Sequence, residues 1–162
     1  MKKRIDCIAF HEEGHAYVHI LTEHPFKYVT IQEDKEKDEH GLRSLGHVMY
    51  ENPKASEERD QYSILNPNKF DLFFKDNFTS VVGFVAETIY RGRSNVKSSK
   101  EDFRQVVHTS LQNLSEQLSS KYISFLLAYA LEVLHKDENW TNNTALTLAL
   151  IDEETLSYAS PL

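Results

Sequence analysis

Cys7-Ile8-Ala9-Phe10-His11-Glu12-Glu13-Gly14-His15-Ala16-Tyr17-Val18 is the stretch on which the reading of this chain turns. Its apolar frame continues through Ile20 and Leu21 and predicts a helix. Within that helix lies the pattern His-Glu-x-x-His, a signature of zinc hydrolases, and the reason is geometric. Side chains at i and i+4 lie one turn apart on the same helical face. His11 and His15 can therefore aim two imidazole nitrogens at one metal ion. Glu12 sits about 100° round the helix from His11, close enough to reach a water on that metal. Zinc lowers the pKa of a bound water to about 7, and a neighbouring carboxylate can take its proton and later return it. Glu13 falls about 200° from His11 and is given no part in the chemistry.

The competing reading is a charged amphipathic helix that carries histidines incidentally. Gly14 weighs against it. A mid-helix glycine costs about 1 kcal/mol relative to alanine. Such a residue usually has a packing reason, such as the close approach of another backbone.

The remainder of the chain sets the limits. With 162 residues it is read as one domain, 1–162, long enough for a true core. The net charge is −7 and the pI about 5.6, with no basic stripe, so nucleic acid is not an expected partner. A single cysteine, Cys7, excludes an internal disulfide and suits a reducing cytoplasm. Cys7 lies four residues before His11 and within reach of a metal there, although such a cysteine is more often a small core residue. Met1-Lys2-Lys3-Arg4 is basic, but Asp6 and the charged motif leave no clean apolar run after it, so no signal peptide is expected. No run of about 18 apolar residues exists, and no membrane span is expected.

Outward from the motif, the first helix is expected over about Arg4 to Glu23, stopped by Pro25. Tyr28–Ile31 and Leu45–Tyr50 read as two strands able to pair as a hairpin, with a charged loop from Glu33 to Gly41 between them. A polar linker runs to about Pro67. Phe70, Phe73, Phe74, Phe78, Val81, Val82, Val85 and Ile89 then recur at helical spacing and predict a long core helix. A polar loop from Arg91 to Ser99 contains Gly92. Further helices are expected from Ser99 through Leu111, around Tyr122 to Leu134, and around Ala145 to Leu150, after which Asp152-Glu153-Glu154 opens a last turn. No repeat or low-complexity segment is present. The fold class is mainly α with a small β-hairpin or sheet near the motif helix.

Catalytic zinc usually takes three protein ligands, and the motif supplies two. Four residues are candidates for the third. Asp102 lies at the mouth of a helix in Ser98-Ser99-Lys100-Glu101-Asp102, where Ser99 and Asp102 also resemble a capping box, and Ser98 and Glu101 share that relation. Glu87 lies in the long apolar helix, where it could instead pair with an arginine or hold a metal-bound histidine from behind. His47 is on the second strand. His19 lies one turn beyond His15, but it drifts about 80° from His11 and is expected at the rim or in solvent. Spacing leaves Asp102 and Glu87 nearly level.

These segments together resemble the zinc peptidase domain of the FtsH-type ATP-dependent proteases. Ala9-Phe10-His11-Glu12-Glu13-Gly14-His15-Ala16 is similar to that family's AxHEAGHA. Val29-Thr30-Ile31 and Leu45-Gly46-His47-Val48 resemble its VTI and LG hairpin segments. Gly83-Phe84-Val85-Ala86-Glu87 resembles its GGRAAEE helix, and Ser99-Lys100-Glu101-Asp102 its SND turn. Leu126 to Ser157, with Trp140, Ala145-Leu146 and Glu154-Thr155-Leu156-Ser157, looks like its C-terminal helices. Only the first of these is specific alone; the order of the set carries the rest. The resemblance implies a zincin-like helical metallopeptidase domain holding Zn2+ through His11, His15 and Asp102, with Glu12 as general base. It thereby favours Asp102 over Glu87.

The family's ATPase module and membrane anchor have no counterpart in this sequence, which implies a stand-alone peptidase acting on unfolded or flexible polypeptides. A separate unfoldase or adaptor is a candidate partner, and the hexameric state does not carry over. The family's Gly-rich turn is replaced by Asn95-Val96-Lys97-Ser98-Ser99, and the stretch from Asn113 to Ser120 is shorter. The second strand or its neighbour would offer an edge to an extended peptide. Two other readings are carried. His11 to His19 also reads HExxHxxxH, which resembles ImmA/IrrE-type regulatory proteases, with Glu87 as the ligand. A non-catalytic zinc-binding interaction module is the third.

Overall fold

The computed structural model describes residues 4–22, 26–33, 45–50 and 67–158. The motif helix α1 runs over Arg4–Leu21. The Thr22 backbone N–H and hydroxyl both bond the Val18 carbonyl, at 2.9 and 2.8 Å, and close its last turn. A surface helix buries one stripe, whereas a helix buried all round belongs to a core. α1 is of the second kind through its middle, where every residue from Glu13 to His19 is buried, while Ile5, Ile20 and Leu21 at its ends are exposed. His19 is therefore not the rim histidine that its drift round the helix suggested. It is 8 % exposed, with its ring 6.1 Å from that of Phe26.

The long apolar segment forms α2, Pro67–Arg91. A proline at the first helical position loses no hydrogen bond, and its fixed φ suits the helix. Gly92 ends α2 in the left-handed region at φ 72°, with its N–H on the Thr88 carbonyl at 2.9 Å. Then come α3 (Lys100–Asn113), α4 (Glu116–Leu134) and α5 (Asp137–Glu153). The last is longer than the short helix expected around Ala145 to Leu150 and takes Trp140 into its first turns. The capping box at Ser99 does not form, for no side-chain bond caps α3. Glu101 pairs with Arg104 at 3.0 Å instead.

The hairpin is present as β1 (Phe26–Thr30) and β2 (His47–Tyr50), antiparallel, with Val29 opposite Val48 and Thr30 opposite His47. A third strand, β3 (Thr155–Ser157), pairs antiparallel on the other side of β1, giving the order β2-β1-β3. Where a last turn was expected, Glu154 adopts the left-handed region at φ 61° and swings the chain out of α5 into β3. It is held there by Ile31 N–H and the Thr30 hydroxyl on its carbonyl, both at 3.0 Å. Three residues carry too little periodicity to announce a strand, and it is the pairing with β1 that makes one. Most of the Glu33–Gly41 loop, the linker before Pro67 and Met1 to Lys3 lie outside the described residues.

Two apolar clusters meet on α1. On one side Tyr17 and Val18 pack with Phe78, Val81, Val82, Val85 and Ala86 of α2, Val106 of α3, and Leu126, Ala130 and Leu134 of α4. On the other, Ala9 and Ala16 pack with Phe26, Val29 and Ile31 of the sheet and Leu150 of α5. Phe10 lies between Tyr90 and Trp140, its ring centroid 4.2 and 5.5 Å from theirs. The fold is mainly α with a small antiparallel sheet, as the sequence predicts. Among the described residues no helix is long and apolar enough to cross a membrane.

Candidate metal centre

The crossing of α1 over α2 is unusually close, and glycines make it so. A β-carbon on Gly14 would stand 2.9 Å from the Ala86 Cβ, 3.0 Å from the Gly83 Cα and 3.1 Å from the Val82 carbonyl. Gly14 thus has the packing reason expected of it. A β-carbon on Gly83 would collide with the His15 ring and stand 2.7 Å from the His11 carbonyl. The gap at Gly83 is what the His15 imidazole occupies. Its Nδ1–H donates to the Thr79 carbonyl at 2.7 Å. That bond fixes the tautomer and leaves the Nε2 lone pair facing inward.

His11, one turn earlier, points its Nε2 at the same spot, 3.1 Å from His15 Nε2. Asp102 reaches in from the first turn of α3, its Oδ2 3.1 Å from His11 Nε2 and 3.8 Å from His15 Nε2. The three side chains form a group whose ligand atoms all lie within 4.8 Å of one another. Cys7, His19, His47 and Glu87 are not in it. Donors about 2.0–2.1 Å from a zinc ion at tetrahedral angles stand about 3.3 Å apart. The observed separations of 3.1, 3.1 and 3.8 Å straddle that value. Two imidazoles, with their outer nitrogens already engaged, and one carboxylate are a donor set that fits a zinc ion with one position left open.

Glu87 is buried beside this group but faces its outer side. Its Oε2 lies 3.4 Å from His11 Nδ1, and its Oε1 accepts from Arg91 at 2.6 Å and Asn95 at 3.1 Å. Oε2 also accepts from the Ser98 hydroxyl at 2.7 Å. Burial pushes this carboxyl up, but the hydrogen bonds from His11, Ser98, Asn95 and Arg91 outweigh it and bring it down to about 2. An ionised carboxylate is an acceptor only. His11 Nδ1 must therefore carry a proton, and Nε2 is left for the inner side. The Ser99 hydroxyl lies 3.4 Å from the same Nδ1.

Burial disfavours a charged His11, yet its bonds to Asp102 and Glu87 and the charges of Glu12 and Asp102 push it up to about 10. Burial likewise raises Asp102, but the nearby His15 and the bond and charge of His11 outweigh it, and the carboxyl is held low. Glu12 is raised by burial and by Asp102, against the lowering influence of His11 and His15. It packs against the residue before β2, where a β-carbon on Gly46 would stand 2.7 Å from the Glu12 Cγ and 2.8 Å from the Thr30 carbonyl. A carboxyl raised by burial beside two inward imidazoles holds its proton more readily than an ordinary glutamate.

His47 lies apart, 3.4 Å through Nε2 from the Tyr28 hydroxyl. Cys7 is buried. Glu13, given no role, is 1 % exposed, and burial raises its carboxyl to about 8. The supports that sequence reasoning missed are the Thr79 carbonyl, Gly83, Gly46 and the pair Asn95 and Ser98. Gly83 left a signal, a glycine inside an apolar helix, which marks close approach as Gly14 does. A backbone carbonyl leaves none. The chain matches no protein-family model and no curated protein.

Proposed function

We propose that the protein is a zinc-dependent metallopeptidase, an endopeptidase acting on unfolded or flexible polypeptides. The observation that carries the reading is the convergence of His11 Nε2, His15 Nε2 and Asp102 Oδ2 on one point, with the half-buried Glu12 close enough to feel the charges of all three. A zinc ion held by these three residues would polarise a peptide carbonyl and acidify a water molecule. Glu12 would take the proton of the attacking water and pass it to the departing amine. Asp102 neutralises part of the positive charge. Thr79 and Glu87 keep the two imidazoles turned inward, as carboxylate and carbonyl partners of metal-bound histidines commonly do.

The arrangement favours Asp102 over Glu87 as the third ligand, because Glu87 meets His11 at Nδ1 and already accepts three other hydrogen bonds. This counts against the reading based on the ImmA/IrrE-type proteases. The resemblance to FtsH-type peptidase domains supports the proposed assignment. A reducing, cytoplasmic setting accords with the single buried cysteine.

The test pairs metal content with cleavage. Protein purified without added metal is expected to carry about one zinc per chain, and Asp102→Asn little. Glu12→Gln is expected to keep the zinc and to lose about 10²–10⁴-fold in hydrolysis of an unfolded protein such as casein. Zinc retained by Asp102→Asn and lost by Glu87→Gln would transfer the ligand to Glu87. Unchanged hydrolysis in Glu12→Gln would leave a zinc-binding interaction module.

A further inference from the structure

The turn between α2 and α3 makes contacts that its own stability does not require. Asn95 and Ser98, three residues apart, bond each other as turn residues commonly do. The Ser98 N–H donates to the Asn95 carbonyl at 3.2 Å and Asn95 Nδ2–H donates to the Ser98 oxygen at 2.9 Å, while the same carbonyl, 2.8 Å from the Ser98 hydroxyl, is a second acceptor for the one O–H that the hydroxyl gives to Glu87. Those bonds would complete an exposed turn. Yet both side chains also turn inward onto Glu87, a carboxylate only 3 % exposed, Asn95 on Oε1 and Ser98 on Oε2. Glu87 already has Arg91, one turn along the same helix, at 2.6 Å.

We propose that Asn95 and Ser98 are positioning residues for the metal centre, holding Glu87 so that one short turn sets both His11 and Asp102. The inference rests on the proposed reading of the site as a zinc centre. Its geometry is a chain of two links. Arg91 anchors one oxygen of Glu87 but leaves the carboxylate free to rotate about that anchor. The donors from the turn fix both oxygens and aim Oε2 at the Nδ1–H of His11, 3.4 Å away. The imidazole is thereby held with Nε2 on Asp102. From Ser98 the chain passes directly to Ser99, which is fully buried with its hydroxyl 3.4 Å from the same Nδ1. Three residues further on is Asp102. The start of α3 is thus registered against His11 by the residues that orient His11. In place of the glycines of the family it resembles, this chain carries side chains that act on the centre from outside. Neither Asn95 nor Ser98 touches the inner donor atoms, so neither is a catalytic residue.

The experiment compares wild type, Ser98→Thr, Ser98→Ala and the double variant Asn95→Ala/Ser98→Ala in zinc affinity, measured by competition with a chromophoric chelator. Partners one shell beyond the ligands commonly weigh 10–100-fold in metal affinity. The double variant is expected to bind zinc about tenfold more weakly or worse, with Ser98→Ala between and Ser98→Thr near wild type. The second readout is the proton resonance of the His11 Nδ1–H in metal-free protein. It should be downfield and slow to exchange in wild type and Ser98→Thr, and shifted or lost in the double variant. Thermal unfolding of the metal-free proteins controls for folding, since a merely structural turn would lower the Tm and leave zinc affinity and the His11 signal alone. Equal zinc affinity and an unchanged His11 proton in the double variant would overturn the proposal. A wild type that binds no zinc, with a His11 proton that still depends on Ser98, would overturn the zinc reading while supporting the clamp.

Discussion

Glu13→Gln is the perturbation whose size can be worked out most fully. Glu13 lies in the motif but on the far side of α1 from the donor atoms, and only 1 % of it is exposed. Its Oε2 has no hydrogen-bond partner among the described residues. Burial without a partner lifts the carboxyl from an ordinary value of 4.5 to about 8. In the unfolded chain the proton leaves near the ordinary value; in the folded protein it stays on until about 8. Between those points the native state binds more protons than the unfolded one, so stability falls as pH rises, by about 1.4 kcal/mol per unit. Across the window the loss approaches about 4–5 kcal/mol. Glutamine is nearly isosteric and does not titrate, so Glu13→Gln lacks this slope. Urea unfolding of chelator-treated protein, followed through Trp140, would be measured for both proteins at pH 5, 6.5 and 8. The variant should gain on the wild type steadily, by roughly 3–4 kcal/mol between the first and last pH. A stability difference independent of pH would refute the reasoning, for it would mean that Glu13 ionises in the folded protein as easily as in the unfolded one.

Gly83→Ala drives a methyl into the His15 ring and the His11 carbonyl, so it should lower zinc affinity by at least tenfold, read by chelator competition. Gly14→Ala meets Ala86 at 2.9 Å and has no imidazole to displace. It should cost about 1–3 kcal/mol in urea unfolding while leaving zinc stoichiometry intact, and a neutral or stabilising result would show that the crossing has slack. Glu87→Gln keeps the shape of the outer partner but loses its charge, so zinc binding should weaken by about 10–100-fold rather than vanish as in Asp102→Asn. Titration of both variants in parallel separates a supporting carboxylate from a ligand.

The sequence by itself determined the helices and the two histidines. Helical spacing from Phe70 to Ile89 announces α2, and the His11–His15 interval places both rings on one face of α1, because a helix has a fixed period that one strand of text can display. Gly14 was legible for a similar reason, since its cost within a helix demands a return from packing. Asp102 and Glu87 could not be separated by spacing, because each comes from a different helix and a ligand's identity depends on which nitrogen of His11 it meets. Only the crossing of α1 over α2, and the turn that sends α3 back toward it, put Asp102 at Nε2 and Glu87 at Nδ1. The same limit hid β3, whose three residues become a strand only by pairing with β1. It also hid the burial of His19 and Glu13, since a helix read alone has an outside and α1 has none between Glu13 and His19. Periodic order is local and can be read along the chain; the choice among groups of like chemistry is made by distance, which the chain acquires only on folding.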